Sequence, residues 1–230
     1  MAHLGLVSSR SQAESFVKLG QVTVNGRPAA KPGQLVSEQD AIKLTAEEQY
    51  VSRAGLKLAS VVSALKLDFK GKTVLDVGSS TGGFTDYALK HGAKKVIAVE
   101  IGTNQLHPSL HGDPRIELHE QTDIRDFQTA EAIDIVVADV SFISLREILP
   151  SISRLCTKRT ELAVMVKPQF EAGHSDFKHK GVVKNDKMRR QILKDFEEWA
   201  RRLFIILDKA DSEVSGAKGN QERFYLLRKT

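Results

Sequence analysis

The stretch "ELAVMVKPQFEAG", residues 161–173, runs an apolar strand straight into a lysine. Ala163 to Val166 are all apolar, Lys167 follows, and Pro168 has no N–H with which to continue a ladder. Lysine is rarely buried without a partner, so an ammonium delivered at a strand end calls for carboxylates. Asp139 closes "DIVVADV", and Glu222 stands just before "RFYLLRKT". A second lysine, Lys57, lies in "VSRAGLKLAS", a helix capped by Ser52, with Arg53 four residues earlier on the same face. Each of these groups alone would be a surface charge. Together, Lys57, Asp139, Lys167 and Glu222 are two cations and two anions that could form one buried network, which would give every charge a partner.

A second constellation supplies a ligand. Gly78-Ser79-Ser80-Thr81-Gly82-Gly83 follows a strand and opens a helix. It is not G-x-G-x-x-G and lacks the P-loop lysine, so a pyrophosphate cradle is not indicated. Asp76, ending the strand before this loop, suits a cationic ligand group. Glu100 ends the next strand about twenty residues on, where an acid binds ribose hydroxyls. A ribose joined to a positive amino-acid end describes S-adenosylmethionine, and the glycines let backbone approach it without Cβ clashes. The competing reading is that the glycines only permit a tight turn.

The elements that position these residues follow from pattern. "KTVLDVG", "KKVIAVE", "RIELHE", "DIVVADV" and "ELAVMV" are strands separated by helical stretches, the longest over Asp186–Leu203. "LFIILDKADSEV" and "RFYLLRKT" add two more. Strands alternating with helices predict an α/β fold with a parallel, doubly wound sheet. In such sheets ligands sit at the carboxyl ends of the strands, which puts Asp76, Gly78, Glu100, Asp123, Asp139 and Lys167 on one rim. Before residue 48 the chain is different. Ser9 and Gln12 form a capping box for a helix ending near Gly20, and "QVTVNG" is a strand with an Asn25-Gly26 turn. This predicts a small α+β module over 1–47 and a larger domain over 48–230. Arg10, Lys18, Arg27 and Lys31 in the module are a solvated face or an RNA footprint, and pattern alone favours the first.

The 230 residues carry 34 Lys+Arg against 29 Asp+Glu, a net charge of +5 that permits a nucleic-acid partner without requiring one. The single cysteine, Cys156, excludes an intramolecular disulfide and fits a reducing compartment. No apolar run approaches a membrane span, and the N-terminus has no signal-peptide core, so a cytoplasmic protein is expected. The histidines show no metal spacing. His107 and His111 are four apart, but Pro108 places them in a surface loop.

At these residues a resemblance enters. "GLVSSRSQAESFVKLGQVTVNG" resembles the RNA-binding domain named after small-subunit ribosomal protein S-four, over roughly residues 3–47. That family normally has an arginine–leucine–aspartate start and most of a first helix before "GL", where this chain has "MAHL", so a shortened first helix is expected. "YVSRAGLKL", "LDVGSSTGGFTD", "ADVSFISLREILP", "MVKPQFEAG", "HKGVVKND" and "KGNQE" are similar to ribose 2′-O-methyltransferases of the FtsJ (RrmJ) type, and most similar to the haemolysin-A, or TlyA, family. The resemblance implies a Rossmann-like methyltransferase acting on ribosomal RNA or ribosomal subunits with S-adenosylmethionine and no metal. It implies a catalytic tetrad at Lys57, Asp139, Lys167 and Glu222. It implies cofactor contacts at Asp76, Gly78, Ser79, Ser80, Gly82, Gly83, Phe84, Glu100, Asp123 and Asp139, with Asp123 near the adenine. RNA contacts are implied at Arg10, Lys18, Arg27, Lys31 and Arg53. Two departures stand out: "SEVSGAKGNQE" lacks the prolines common before "KGNQE", and Asp123 replaces a common asparagine. Lys167 would orient the ribose hydroxyl and take its proton, or stay charged and stabilise the alkoxide. An RNA-binding protein of the same fold with little or no activity is the alternative. A membrane-lytic protein, which the haemolysin name suggests, is disfavoured for want of a span or a strongly amphipathic apolar helix.

Overall fold

A computed structural model of the chain describes residues 1–7, 9–46, 49–172, 182–183, 185–216 and 219–230. The expected boundary at 47/48 and half of "HKGVVKND" lie outside the described residues. The small module begins with α1 (Arg10–Lys18), whose Ser9 Oγ accepts from the Gln12 N–H at 3.1 Å. Gln12 does not complete the capping box. Its Nε2 reaches out of the module and donates to Tyr50 O at 2.7 Å. Strands β1 (Val22–Val24), β2 (Arg27–Pro28) and β3 (Ile42–Leu44) form an antiparallel sheet in the order β2-β1-β3. Asn25 and Gly26 both have positive φ, as the hairpin turn requires.

Helix α2 (Arg53–Leu65) leads into the large domain. Ser52 holds the N-cap position, but its hydroxyl makes no capping bond, contrary to expectation. It is turned instead against the start of the next helix. The sheet contains β4 (Thr73–Val77), β5 (Lys95–Val99), β6 (Ile116–His119), β7 (Ile135–Ala138), β8 (Glu161–Val166), β9 (Phe204–Asp211) and β10 (Arg223–Lys229), in the order β6-β5-β4-β7-β8-β10-β9. Strands β4 to β8 are parallel, as the alternation with helices predicts. β10 is reversed: it slots between β8 and β9 and runs antiparallel to both, so β9 points the same way as the parallel strands. The helices are α3 (Gly83–Lys90), α4 (Leu145–Leu155), α5 (Pro168–Glu171) and α6 (Asp186–Ala200).

Alternate strand residues fill two cores, one on each face. Val74, Val137 and Met165 pack with α2 and α3, and that core continues into the small module through Val7, Phe16 and Val22. Leu75, Val136 and Val164 pack with α4 and α6. Helices α2 and α3 approach at two glycines. A methyl on Gly55 would stand 2.5 Å from Tyr50 Cβ, and one on Gly83 would meet Ser52 Oγ and the Gly55 nitrogen.

Candidate active site

The glycine loop between β4 and α3 is shaped by backbone that side chains tolerate poorly. Gly78 and Gly82 have φ of 77° and 83°, and Ser80 also lies in the left-handed region. A Cβ on Gly78 would sit 3.0 Å from Asp139 O, so glycine lets the β4 and β7 ends close together. Glu100 braces the loop: its Oε2 accepts from Ser80 N at 2.9 Å and its Oε1 from Gly102 N at 2.7 Å.

A cavity of about 1090 Å³ opens above these strand ends. Its walls include Asp76, Gly78, Ser79, Ser80 and Phe84 from the β4–α3 corner, Asp139 and Phe142 after β7, and Lys167 and Gln169 after β8. Lys57 and Glu222 enter from α2 and the approach to β10. Lys57 Nζ and Glu222 Oε2 stand 2.5 Å apart, and so do Lys167 Nζ and Asp139 Oδ1. Lys167 also donates to Ser141 Oγ at 2.8 Å. Lys57, Lys167 and Glu222 are buried, and Asp139 is partly so. The antiparallel insertion of β10 explains how Glu222 arrives: Arg223 pairs with Val166, the residue before Lys167.

Asp76 is almost fully buried. Thr85 Oγ1 donates to its Oδ2 at 2.6 Å, while Oδ1 has no partner. Burial pushes its carboxyl up to about 7; the Thr85 bond opposes this, and the nearby Asp139 and Glu100 charges add to it. The hydroxyl of Ser79 is likewise buried without a partner. A buried, unsatisfied carboxylate oxygen at a glycine-lined corner fits the cationic end of S-adenosylmethionine.

Other expected residues fall elsewhere. Gly82 and Gly83 do not line the cavity: Gly82 faces Leu106 and Leu110, and Gly83 faces α2. Glu100 also stands back from the lining, holding the loop that does the lining. Asp123 is absent from the cavity wall and is clasped by Arg125 at 2.6 Å. Arg10, Arg27 and Lys31 are exposed. Lys18 is paired to Glu14 at 2.8 Å, a helical i,i+4 contact rather than a free cation. Arg53 is half-buried at the seam, lining this cavity and a smaller one against Glu14 and Lys18.

Three lining residues were not legible as such. His107 was expected in a surface loop; the loop is there, with a short 3-10 turn over Pro108–Leu110, but it folds over the glycine loop and turns His107 into the cavity wall. Phe142 has a φ of 66° and is 92% exposed at the cavity mouth, its ring centroid 5.4 Å from that of Phe170. Gln169 follows Lys167 by two positions. A large aromatic three residues after Asp139 was the one available signal.

The sheet order, the glycine corner and two lysine–carboxylate pairs above it define a nucleoside-cofactor methyltransferase of the Rossmann-like class. The chain belongs to the FtsJ-like methyltransferase family, whose model matches residues 50–229, and an S4 domain model matches residues 1–42. It is similar to the 16S/23S rRNA (cytidine-2′-O)-methyltransferase TlyA of Mycobacterium tuberculosis, with 37% identity covering 97% of this chain and 86% of that protein. It is also similar to Hemolysin A of Brachyspira hyodysenteriae, with 36% identity covering 95% of this chain and 93% of that one. A solved structure from Streptococcus thermophilus bearing the hemolysin name superposes with a TM-score of 0.76 at 36% identity, covering 98% of this chain and 84% of the other.

Proposed function

We propose that this protein is an S-adenosylmethionine-dependent ribosomal RNA ribose 2′-O-methyltransferase. The observation that carries the reading is the convergence of Lys57–Glu222 and Lys167–Asp139, two buried ion pairs, on one cavity beside the glycine corner. The FtsJ-like family and the rRNA 2′-O-methyltransferase relatives support it. The S-four-type module, taken as residues 1–47, carries RNA binding, and residues 48–230 carry the chemistry. Among the described residues no helix is long and apolar enough to cross a membrane. No group of acidic, histidine or cysteine residues able to hold a metal occurs among them either.

S-adenosylmethionine supplies, when bound, an electrophilic methyl group. The protein's share is to present an oxygen to it. Asp76 takes the amino-acid end through its unpartnered Oδ1, with Ser79 and the glycine-loop backbone beside it, and Phe84 and Asp139 close the same wall. Glu100 holds that loop in shape. Lys167, fixed by Asp139 and Ser141, orients the ribose 2′-hydroxyl; as the neutral amine it accepts the hydroxyl proton at Nζ, and as the ammonium it stabilises the forming alkoxide instead. Lys57 and Glu222 keep the opposite wall charge-balanced and shield the hydroxyl from water. Most of the rate gain in such a transfer comes from holding oxygen, carbon and leaving atom in line. Phe142 offers an exposed ring at the mouth, a surface on which an unpaired base can stack.

The test is single-turnover transfer from labelled cofactor to purified small and large ribosomal subunits. The wild-type chain should label RNA in at least one of them. Lys167→Ala should lose transfer by about 10²–10⁴-fold or more while binding cofactor normally. Lys167→Arg keeps the charge but is effectively never deprotonated, so near-complete loss supports proton removal or strict geometry at Nζ, and a substantial residual rate supports alkoxide stabilisation instead. Wild-type rates in Lys167→Ala would show that the lysine is only a charge at a strand end.

A further inference from the structure

Gln169 is a residue the scheme above leaves without a task. It is 5% exposed, it lines the cavity, and its Oε1 has no hydrogen-bond partner. A buried amide oxygen left unsatisfied carries its full desolvation penalty, so packing alone would favour a leucine or methionine of similar size. A hydrogen-bond donor from a ligand would remove the penalty.

Its place in the sheet selects the ligand. Asp76 and the glycine loop stand at the end of β4, whereas Gln169 follows β8, two strands away in the order β4-β7-β8. Neighbouring strands are about 4.8 Å apart, so roughly 10 Å separates the cofactor corner from this position. Gln169 also lies beyond Lys167, on the acceptor's side, and near Phe142 at the mouth. What extends past a ribose hydroxyl held at Lys167 is the base of the same nucleotide. Unpaired RNA bases are commonly read on their Watson–Crick edges while stacked on an aromatic side chain.

We infer that Gln169 reads the base of the nucleotide being methylated, accepting from its exocyclic amino group through Oε1 and donating through Nε2 to the ring nitrogen beside it. Cytosine and adenine present that pair; uracil and hypoxanthine carry an oxygen where the amino group would be. The inference rests on the reading of the cavity as a ribose-methylating site and adds the base to it.

The experiment uses the full chain and Gln169→Leu. The acceptor nucleotide is first located by labelling ribosomal subunits with the wild-type protein. Single-turnover rates are then measured on transcripts of that segment carrying either the native base or its oxo counterpart, uracil for cytosine or hypoxanthine for adenine. Wild type should prefer the amino base by about 10- to 100-fold, the discrimination typical of one well-placed bidentate contact. Gln169→Leu should transfer to both bases at similar, reduced rates, with unchanged cofactor affinity by calorimetry and a melting midpoint no lower than wild type. Gln169→Met replaces the leucine variant if that fails to fold. Undiminished base preference in the variant overturns the inference, as does lost cofactor affinity, which would assign the amide to the cofactor. If the wild-type chain binds cofactor and labels no RNA, the functional reading falls and the inference with it.

Discussion

At the scale of single residues, the site is a set of charges whose burial is balanced pair by pair, with one exception. Lys57 and Lys167 each have a carboxylate at 2.5 Å. Asp76 has only the Thr85 hydroxyl, so burial raises its carboxyl from 3.8 to about 7. The folded-state value lies above the unfolded one. The stability it contributes is therefore complete below about pH 4 and is lost as pH rises through about 7. Asp76→Asn removes that loss. Without cofactor, the variant should gain stability over wild type progressively between pH 4 and pH 8, by an amount on the order of 4 kcal/mol at most, from three pH units at about 1.4 kcal/mol each. Thermal melts of both proteins across that range check it, and a constant difference in midpoint would mean the carboxyl titrates normally. The same variant should bind S-adenosylmethionine more weakly at pH 8, because the stabilising change deletes the charge that meets the ligand.

At the scale of elements, the sequence showed most of the strands and hid how two of them pair. "KTVLDVG", "DIVVADV" and "ELAVMV" are mostly apolar without alternation, the pattern of strands buried on both faces. The direction of β10 leaves no such mark, since antiparallel and parallel strands bury the same residue types. Its position beside β8, which brings Glu222 to Lys57, was therefore visible only through resemblance. The glycines misled in part. Gly78 lines the cavity, but Gly82 and Gly83 face protein, and a string of glycines does not say which of them borders a cavity. Gly83 lets α3 pack on α2, where a methyl would collide with Ser52 Oγ and the Gly55 backbone. Gly83→Ala should cost about 1–3 kcal/mol by overpacking, lowering the melting midpoint by roughly 2–4 °C for each kcal/mol. Gly33, with ordinary φ and open space around it, is the control: Gly33→Ala should leave the midpoint unchanged or raise it slightly. Equal effects at the two positions would remove the close helix contact from the account.

At the scale of the whole molecule, the small module is not a tethered accessory. Phe16 and Val22 share a core with Leu56 and Leu58, Gln12 bonds Tyr50 O, and Val51 N donates to Asp86 in α3 at 2.9 Å. Whatever grips RNA is thus carried rigidly over the cavity, and substitutions test it better than deletion. Arg27→Gln with Lys31→Gln should flatten the dependence of log affinity for ribosomal RNA on log salt by roughly 1.4–1.8, at 0.7–0.9 for each lost phosphate contact. Lys18→Gln should change it less, because Glu14 already holds that ammonium. Filter binding at several salt concentrations measures both, and parallel slopes would make the exposed cations a solvated face only. The inserted strand has a further consequence, in the order of assembly. β9 precedes β10 in the chain yet touches the sheet only through it. β9 and β10 pair with each other as neighbours in the chain, but until β10 docks against β8 the β8 edge stays bare and neither is joined to the sheet. Pairings between segments so far apart in sequence form slowly. In refolding, catalytic competence should therefore appear only with the β8–β10 pairing, because that pairing carries Glu222 to the lysine waiting for it.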